Sequence, residues 1–213
     1  MKEHYKFTLK PLPYRYYDLE PYISEQTMKQ HHIRHLGAYI TNLNRLIEKN
    51  PAYKNMTLTE LYAASSKMPS SISDDMRFFS GAVYNHNLFF SLLSPTYNDA
   101  IRHPVGTLSG ILEKEFGSFE NFLVAFRDAA YNLRGSGWVF LCRDNSDRPR
   151  IVVTSNHDRP PINTCTPVLL LDMWEHAYYL DYLDRKKEYI ENFFRIINWQ
   201  LVQMLWDSRI IYR

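Results

Sequence analysis

The sequence predicts an α+β fold, with a long N-terminal helical hairpin followed by a C-terminal domain whose small three-stranded antiparallel sheet is packed by helices. Three observations lead there. Two long stretches in the first half repeat apolar residues at helical spacing between clear start and stop signals. Three short β-rich runs cluster between residues 137 and 172. A Pro-, Asn- and His-containing segment, "SPTYNDAIRHPVG", separates the two patterns and divides the chain into domains at 1–95 and 96–213.

Each element follows in order. After an irregular start with Pro11, Pro13 and Pro21, "SEQTMKQHHIRHLGAYITNLNRLIEKNP" reads as one long helix, capped by Ser24 and stopped at Asn50-Pro51. "LTELYAAS" gives a short helix. "SDDMRFFSGAVYNHNLFFSLLSP" gives the second long helix, with Ser73 as cap, Asp74 and Asp75 in its first turn and Pro95 beyond its end. The second half opens with two helices broken at Gly117. Strands over 137–142 and 150–155 flank a polar turn, and "TPVLLLD" supplies a third strand that runs directly into a helix, "MWEHAYYLDYL". Two further helical stretches close the chain.

Composition excludes several classes. A hydrophobic fraction of 45% and a charged fraction of 23% are those of an ordinary globular protein. The net charge of +2 is too balanced to argue for nucleic acid. No apolar run approaches the roughly 18 residues of a membrane span, and the N-terminus lacks the apolar core of a signal peptide. A cytoplasmic location is therefore expected. Cys142 and Cys165 are too few for a disulfide framework or a Cys-rich zinc site. G-x-G-x-x-G, G-x-x-x-x-G-K-[ST], H-E-x-x-H and paired Glu-x-x-His motifs are all absent, and Gly135-Ser136-Gly137 is no nucleophile elbow.

The informative letters are histidines on apolar stripes. His31, His35 and Tyr39 recur every four residues on the first long helix. His86 is the polar member of the stripe Phe79, Ala82, Val83, Phe90 on the second. If the helices pack antiparallel along these stripes, His31 and His86 face each other. Asp172 and His176 stand four apart in an apolar run, where a helix starting there brings them to one point. Buried charges need a partner or a metal. Three imidazoles and one carboxylate suit manganese or iron better than calcium or magnesium.

"LPYRYYDLEPYIS", "HHIRHLGAYITNLN", "NHNLFF", "FGSFENF", "GSGWVFL", "DMWEHAYYLDY" and "INW" occur in the order and near the spacing of a known family. Through them the chain strongly resembles the iron/manganese superoxide dismutases along essentially its whole length. The resemblance implies one Mn or Fe ion per chain on His31, His86, Asp172 and His176, with His35 and Tyr39 as a gateway and Trp138 and Trp174 as pocket walls. It implies a homodimer, or a tetramer, in which Glu175 reaches the second copy's ligand histidine and Tyr179 its gateway histidine. Superoxide is the implied substrate, drawn in by basic groups among Lys29, Arg34 and Lys186.

Four residues depart from the family pattern. Iron-type members carry a glutamine near the metal where this chain has Ala82, and manganese-type members carry one in a segment like "SNQD", here "SNHD" with His157. Phe90 replaces a tryptophan, and Lys186 an arginine. His157 is expected to take over the glutamine's hydrogen bond to solvent beside the metal and, unlike an amide, to titrate near its ordinary 6.5. The expected function is superoxide dismutation in antioxidant defence. The alternative is a non-catalytic interaction protein of the same fold, for which ligand loss would be the sign.

Overall fold

The computed structural model describes residues 3–95, 103–104, 106–161 and 163–208. The first long helix is three segments in one line: α1 (Glu25–Lys29), a π-helical turn (Gln30–Leu36) and α2 (Gly37–Lys49). Ser24 caps it as expected, its side chain accepting from the Thr27 amide. The π turn, which a 3.6-residue stripe does not reveal, carries both His31 and His35. Helix α3 (Leu58–Ala64) begins with a full capping box between Thr57 and Glu60.

The return helix α4 (Ser70–Ser91) starts before the expected Ser73. The Pro69 carbonyl already accepts from the amides of Ile72 and Ser73, so the helix is nucleated a turn earlier. Helices α2 and α4 bury Ile40, Leu43 and Ile47 against Met76, Val83 and Leu88, giving the antiparallel hairpin. The linker expected over 94–106 falls largely outside the described residues. At the end of α4, Ser94 N–H donates to the Ile196 carbonyl at 2.7 Å and Asn198 N–H to the Leu92 carbonyl at 2.8 Å. The hairpin is thereby stitched to the C-terminal helices, and one hydrophobic core runs through both halves.

Helices α5 (Gly106–Phe116) and α6 (Phe119–Asn132) are separated at Gly117, with Ser118 capping the second. Strands β1 (Gly137–Asp144), β2 (Pro149–Ser155) and β3 (Cys165–Asp172) form an antiparallel sheet in the order β2-β1-β3. Central strand β1 and strand β3 are buried almost throughout. The register sets Trp138 directly opposite Asp172. It slips after Leu141, and beyond the slip Cys142 and Cys165 are disulfide-bonded with their Cα atoms 5.6 Å apart. Counting two cysteines on the sequence left this bond unread.

The helix expected to follow β3 is instead a 3₁₀ turn (Glu175–Ala177) and a single turn, α7 (Tyr179–Tyr182). Two contacts hold Trp174 extended at ψ 142 and prevent an α-helix from starting at Asp172. Its amide donates to Asp172 Oδ1 at 2.9 Å, and its indole N–H donates to the Asn156 carbonyl at 3.0 Å. Helices α8 (Lys186–Phe193) and α9 (Trp199–Ser208) close the fold. No described helix is long and apolar enough to cross a membrane.

Candidate metal centre

Four elements converge on one buried point. The π turn supplies His31, α4 supplies His86, the last residue of β3 is Asp172, and the 3₁₀ turn after it supplies His176. One ligand-type atom from each lies within 4.8 Å of the others. Asp172 Oδ2 stands 3.1 Å from His31 Nε2, 3.2 Å from His176 Nε2 and 3.6 Å from His86 Nε2. The Nε2 atoms of His86 and His176 are 3.3 Å apart. Ligands about 2.0–2.2 Å from a common ion stand roughly 3.0–3.6 Å from one another at ordinary coordination angles. The donor set and its spacing fit one first-row metal ion.

The surroundings orient each donor. His86 Nδ1 lies 2.7 Å from the Ala82 carbonyl, which only accepts, so Nδ1 carries the proton and Nε2 offers its lone pair. Asp172 is held by the Trp174 amide on Oδ1 and by the Tyr189 hydroxyl, which donates to its backbone carbonyl at 2.9 Å. Burial alone would raise the Asp172 carboxyl, but His176 and His31 beside it more than reverse this and hold it well below the usual carboxylate range. Burial pushes the His31 imidazole down to about 4 and His86 well below its ordinary value. The site thus presents one anion beside the neutral nitrogens of His31 and His86, the protonation state a cation needs.

Rings wall the cavity. Trp138 meets His86 edge-on at 5.1 Å, Trp174 stacks on His176 at 5.6 Å, and Phe90 lies 4.8 Å from His31. Phe78, not singled out on the sequence, closes another side against Tyr39 and His157. Its neighbour Phe79 had fitted the stripe, and nothing in the spacing distinguished the two. Tyr39 sits 5.3 Å from the His86 ring, and burial, with Asp172 adding, raises its hydroxyl well above the usual phenol value. His35 stacks on His176 at 4.3 Å.

His157 is brought in from the turn after β2. Its ring stacks on Trp174 at 4.4 Å and meets Tyr39 at 4.9 Å. The Trp138 indole, a donor only, donates to His157 Nδ1 at 3.1 Å. The proton of the neutral ring is therefore on Nε2, a buried donor with no partner among the described residues. The expectation that this histidine titrates near neutral pH is corrected: burial pushes it down to about 3.

Other expected residues stand apart. Glu175 is exposed in the single chain, not buried, and lines a cleft of about 380 Å³ with Gln26, Gln30, His35, His176, Tyr179 and Leu180. Lys186 is half-buried and spends its ammonium on the Leu133 carbonyl at 3.0 Å. Arg34 is exposed in a different groove, with Lys6 and Arg45, and Lys29 pairs with Glu25.

Two family models match the chain: the alpha-hairpin domain of iron/manganese superoxide dismutases over residues 6–94, and their C-terminal domain over residues 104–205. Among curated relatives, the chain is 39% identical over 202 residues to a superoxide dismutase (Mn) of Listeria innocua, covering 95% of this chain and 98% of the relative. It is 36% identical over 199 residues to a superoxide dismutase (Mn) of Thermus thermophilus, covering 93% and 96%.

Proposed function

The chain belongs to the iron/manganese superoxide dismutase family, and on that footing we propose that it converts two superoxide anions and two protons into dioxygen and hydrogen peroxide, as part of antioxidant defence. The observation that carries this reading is the buried group of His31, His86, Asp172 and His176. One Mn or Fe ion held there supplies the one-electron chemistry when bound. The alternative of a non-catalytic interaction protein has no support in a site that keeps all four ligand residues buried together.

The surrounding side chains do the rest. Asp172 contributes the single negative charge, and Tyr189 and Trp174 fix its orientation. Trp138 holds His157 in the Nε2–H form, so His157 donates to solvent in the cavity, where the family pattern has glutamine. Tyr39 and His35, with protons to give, line the approach. Lys186 and Arg34 act on the substrate as long-range positive charge, since one is engaged with a carbonyl and the other faces a separate groove.

Two copies form the working unit in this proposal. Among the described residues no group bonds the outer nitrogen, Nδ1, of His176, and Glu175 and Tyr179 stand exposed beside it. Glu175 of one protomer would accept from that nitrogen of the other. The domain division at 95/96 and a cytoplasmic location belong to the same proposal.

The test is Asp172→Ala, which replaces the anionic ligand by a methyl group. Metal content and superoxide turnover are measured on the same preparation, and both are expected to be lost. Stoichiometric metal with near-normal turnover would overturn the assignment.

A further inference from the structure

We propose that Gly81 is the positioning residue that seats His157 over the metal cavity, and so sets how well Mn or Fe works there. The proposal rests on the reading of His157 as a donor into the cavity. His157 reaches the site from a tight turn: Asn156 adopts φ 52, its N–H donates to the Ser136 carbonyl, and Asp158 N–H returns to the Ser155 carbonyl at 3.1 Å. The carbonyl of His157 then lies flat against α4 at Gly81. A Cβ on Gly81 would stand 2.3 Å from that oxygen, 3.3 Å from its carbon and 3.2 Å from Tyr62 Cε2. One turn along the same helix, Asn85 Nδ2 donates to the same oxygen at 3.3 Å.

Space, and not backbone conformation, is what this glycine supplies. Gly81 is interior to α4 and absent from the residues with positive φ. At such a position helix propensity alone favours alanine. The turn also cannot retreat easily. Arg159, two residues on and buried, donates its N–H to the Tyr62 hydroxyl at 2.8 Å, holds its guanidinium 3.4 Å over the Tyr84 ring and reaches Thr59 Oγ1 at 3.2 Å. Arg77, one turn before Gly81 on α4, pairs with Asp158 at 2.7 Å. With the turn clamped at 158–159, a methyl group at 81 must be accommodated by His157 itself. That shift is transmitted to the Trp138–His157 hydrogen bond and to the aim of Nε2.

The full-length protein is loaded with Zn²⁺, a redox-inert and diamagnetic probe, and the Trp138 indole N–H is followed by NMR. Turnover per bound metal is measured in parallel on Mn- and Fe-loaded protein. In Gly81→Ala the indole resonance is expected to move upfield as its bond to His157 weakens, and the Mn-to-Fe turnover ratio to change about tenfold, the lower end for groups behind metal ligands. An unmoved resonance overturns the seat, and an unchanged ratio overturns its effect on metal preference. If Gly81→Ala does not fold, Asn85→Ala releases the same carbonyl without adding bulk, and it must move the same resonance or the proposal fails. His157→Gln separates the two readings. An unchanged Mn-to-Fe ratio in that protein removes the donor role of His157, while the indole resonance in Gly81→Ala still decides whether Gly81 seats the turn.

Discussion

A single hydrogen bond decides the chemistry of His157. Because an indole can only donate, Trp138 forces the imidazole to accept on Nδ1 and to keep its proton on Nε2. A glutamine amide presents its N–H from a different distance and shape, so His157→Gln is expected to change the ratio of Mn- to Fe-supported turnover, read per bound metal. The pH behaviour follows from burial. With its value pushed down to about 3, the ring is neutral throughout the physiological range. Wild type and His157→Gln should therefore show superimposable pH profiles of kcat between about pH 5 and 8, where an unperturbed histidine would titrate. A break near 6.5 present only in wild type would contradict this. The residue was visible in the sequence as a departure from a family pattern. Its protonation was not, because burial and the Trp138 partner are products of the tertiary fold.

At the level of elements, what the sequence declared was local and what it hid was long-range or irregular. Ser24 announced a helix start because a cap acts within three residues, whereas Ser73 misplaced one, since the Pro69 carbonyl nucleates α4 a turn earlier. The stripes of His31 and His86 faced each other because apolar spacing dictates which sides of two helices meet. The π turn escaped notice, since an extra residue in a helix leaves no mark on composition. So did the 3₁₀ turn at Glu175–Ala177, which depends on Trp174 reaching Asn156. Asp172 and His176 do meet, but across the end of a strand and not along a helix. The bond between Cys142 and Cys165 depends on a register slip after Leu141. It closes a segment of sequence separation 23, and in the chain-entropy model such a closure stabilises by about 3 kcal/mol. Replacing both cysteines by serine should lower the urea-unfolding free energy by about that much while leaving metal content intact. Equal unfolding midpoints would show that the closure contributes nothing.

For the whole molecule, assembly and acid sensitivity follow from the same buried centre. Tyr179 (47% exposed), Leu180 (55%) and Leu183 (55%) form an apolar margin beside Glu175. Glu175→Ala should therefore weaken the proposed dimer, by about 1–3 kcal/mol for each unpaired imidazole donor. Sedimentation of the variant against wild type at micromolar protein reads this directly, and a fully active wild-type monomer would count against it. The metal-free protein has a defined pH response. The His31 value is depressed from 6.5 to about 4, so the unfolded chain binds the extra proton first as pH falls. Stability is full above about pH 6.5 and declines toward pH 4, by on the order of 3 kcal/mol from His31 alone. Asp172, depressed as well, adds a loss of the same sign at lower pH. Chemical denaturation of the metal-free protein across that range measures the slope. The Cys142–Cys165 bond carries a mechanical consequence too. It ties strand β2 and the His157 turn into a closed ring that tension on the chain ends cannot open. Pulled taut between its termini, the oxidised molecule should fall short of the reduced one by about 75 Å, the reach of the residues inside that ring.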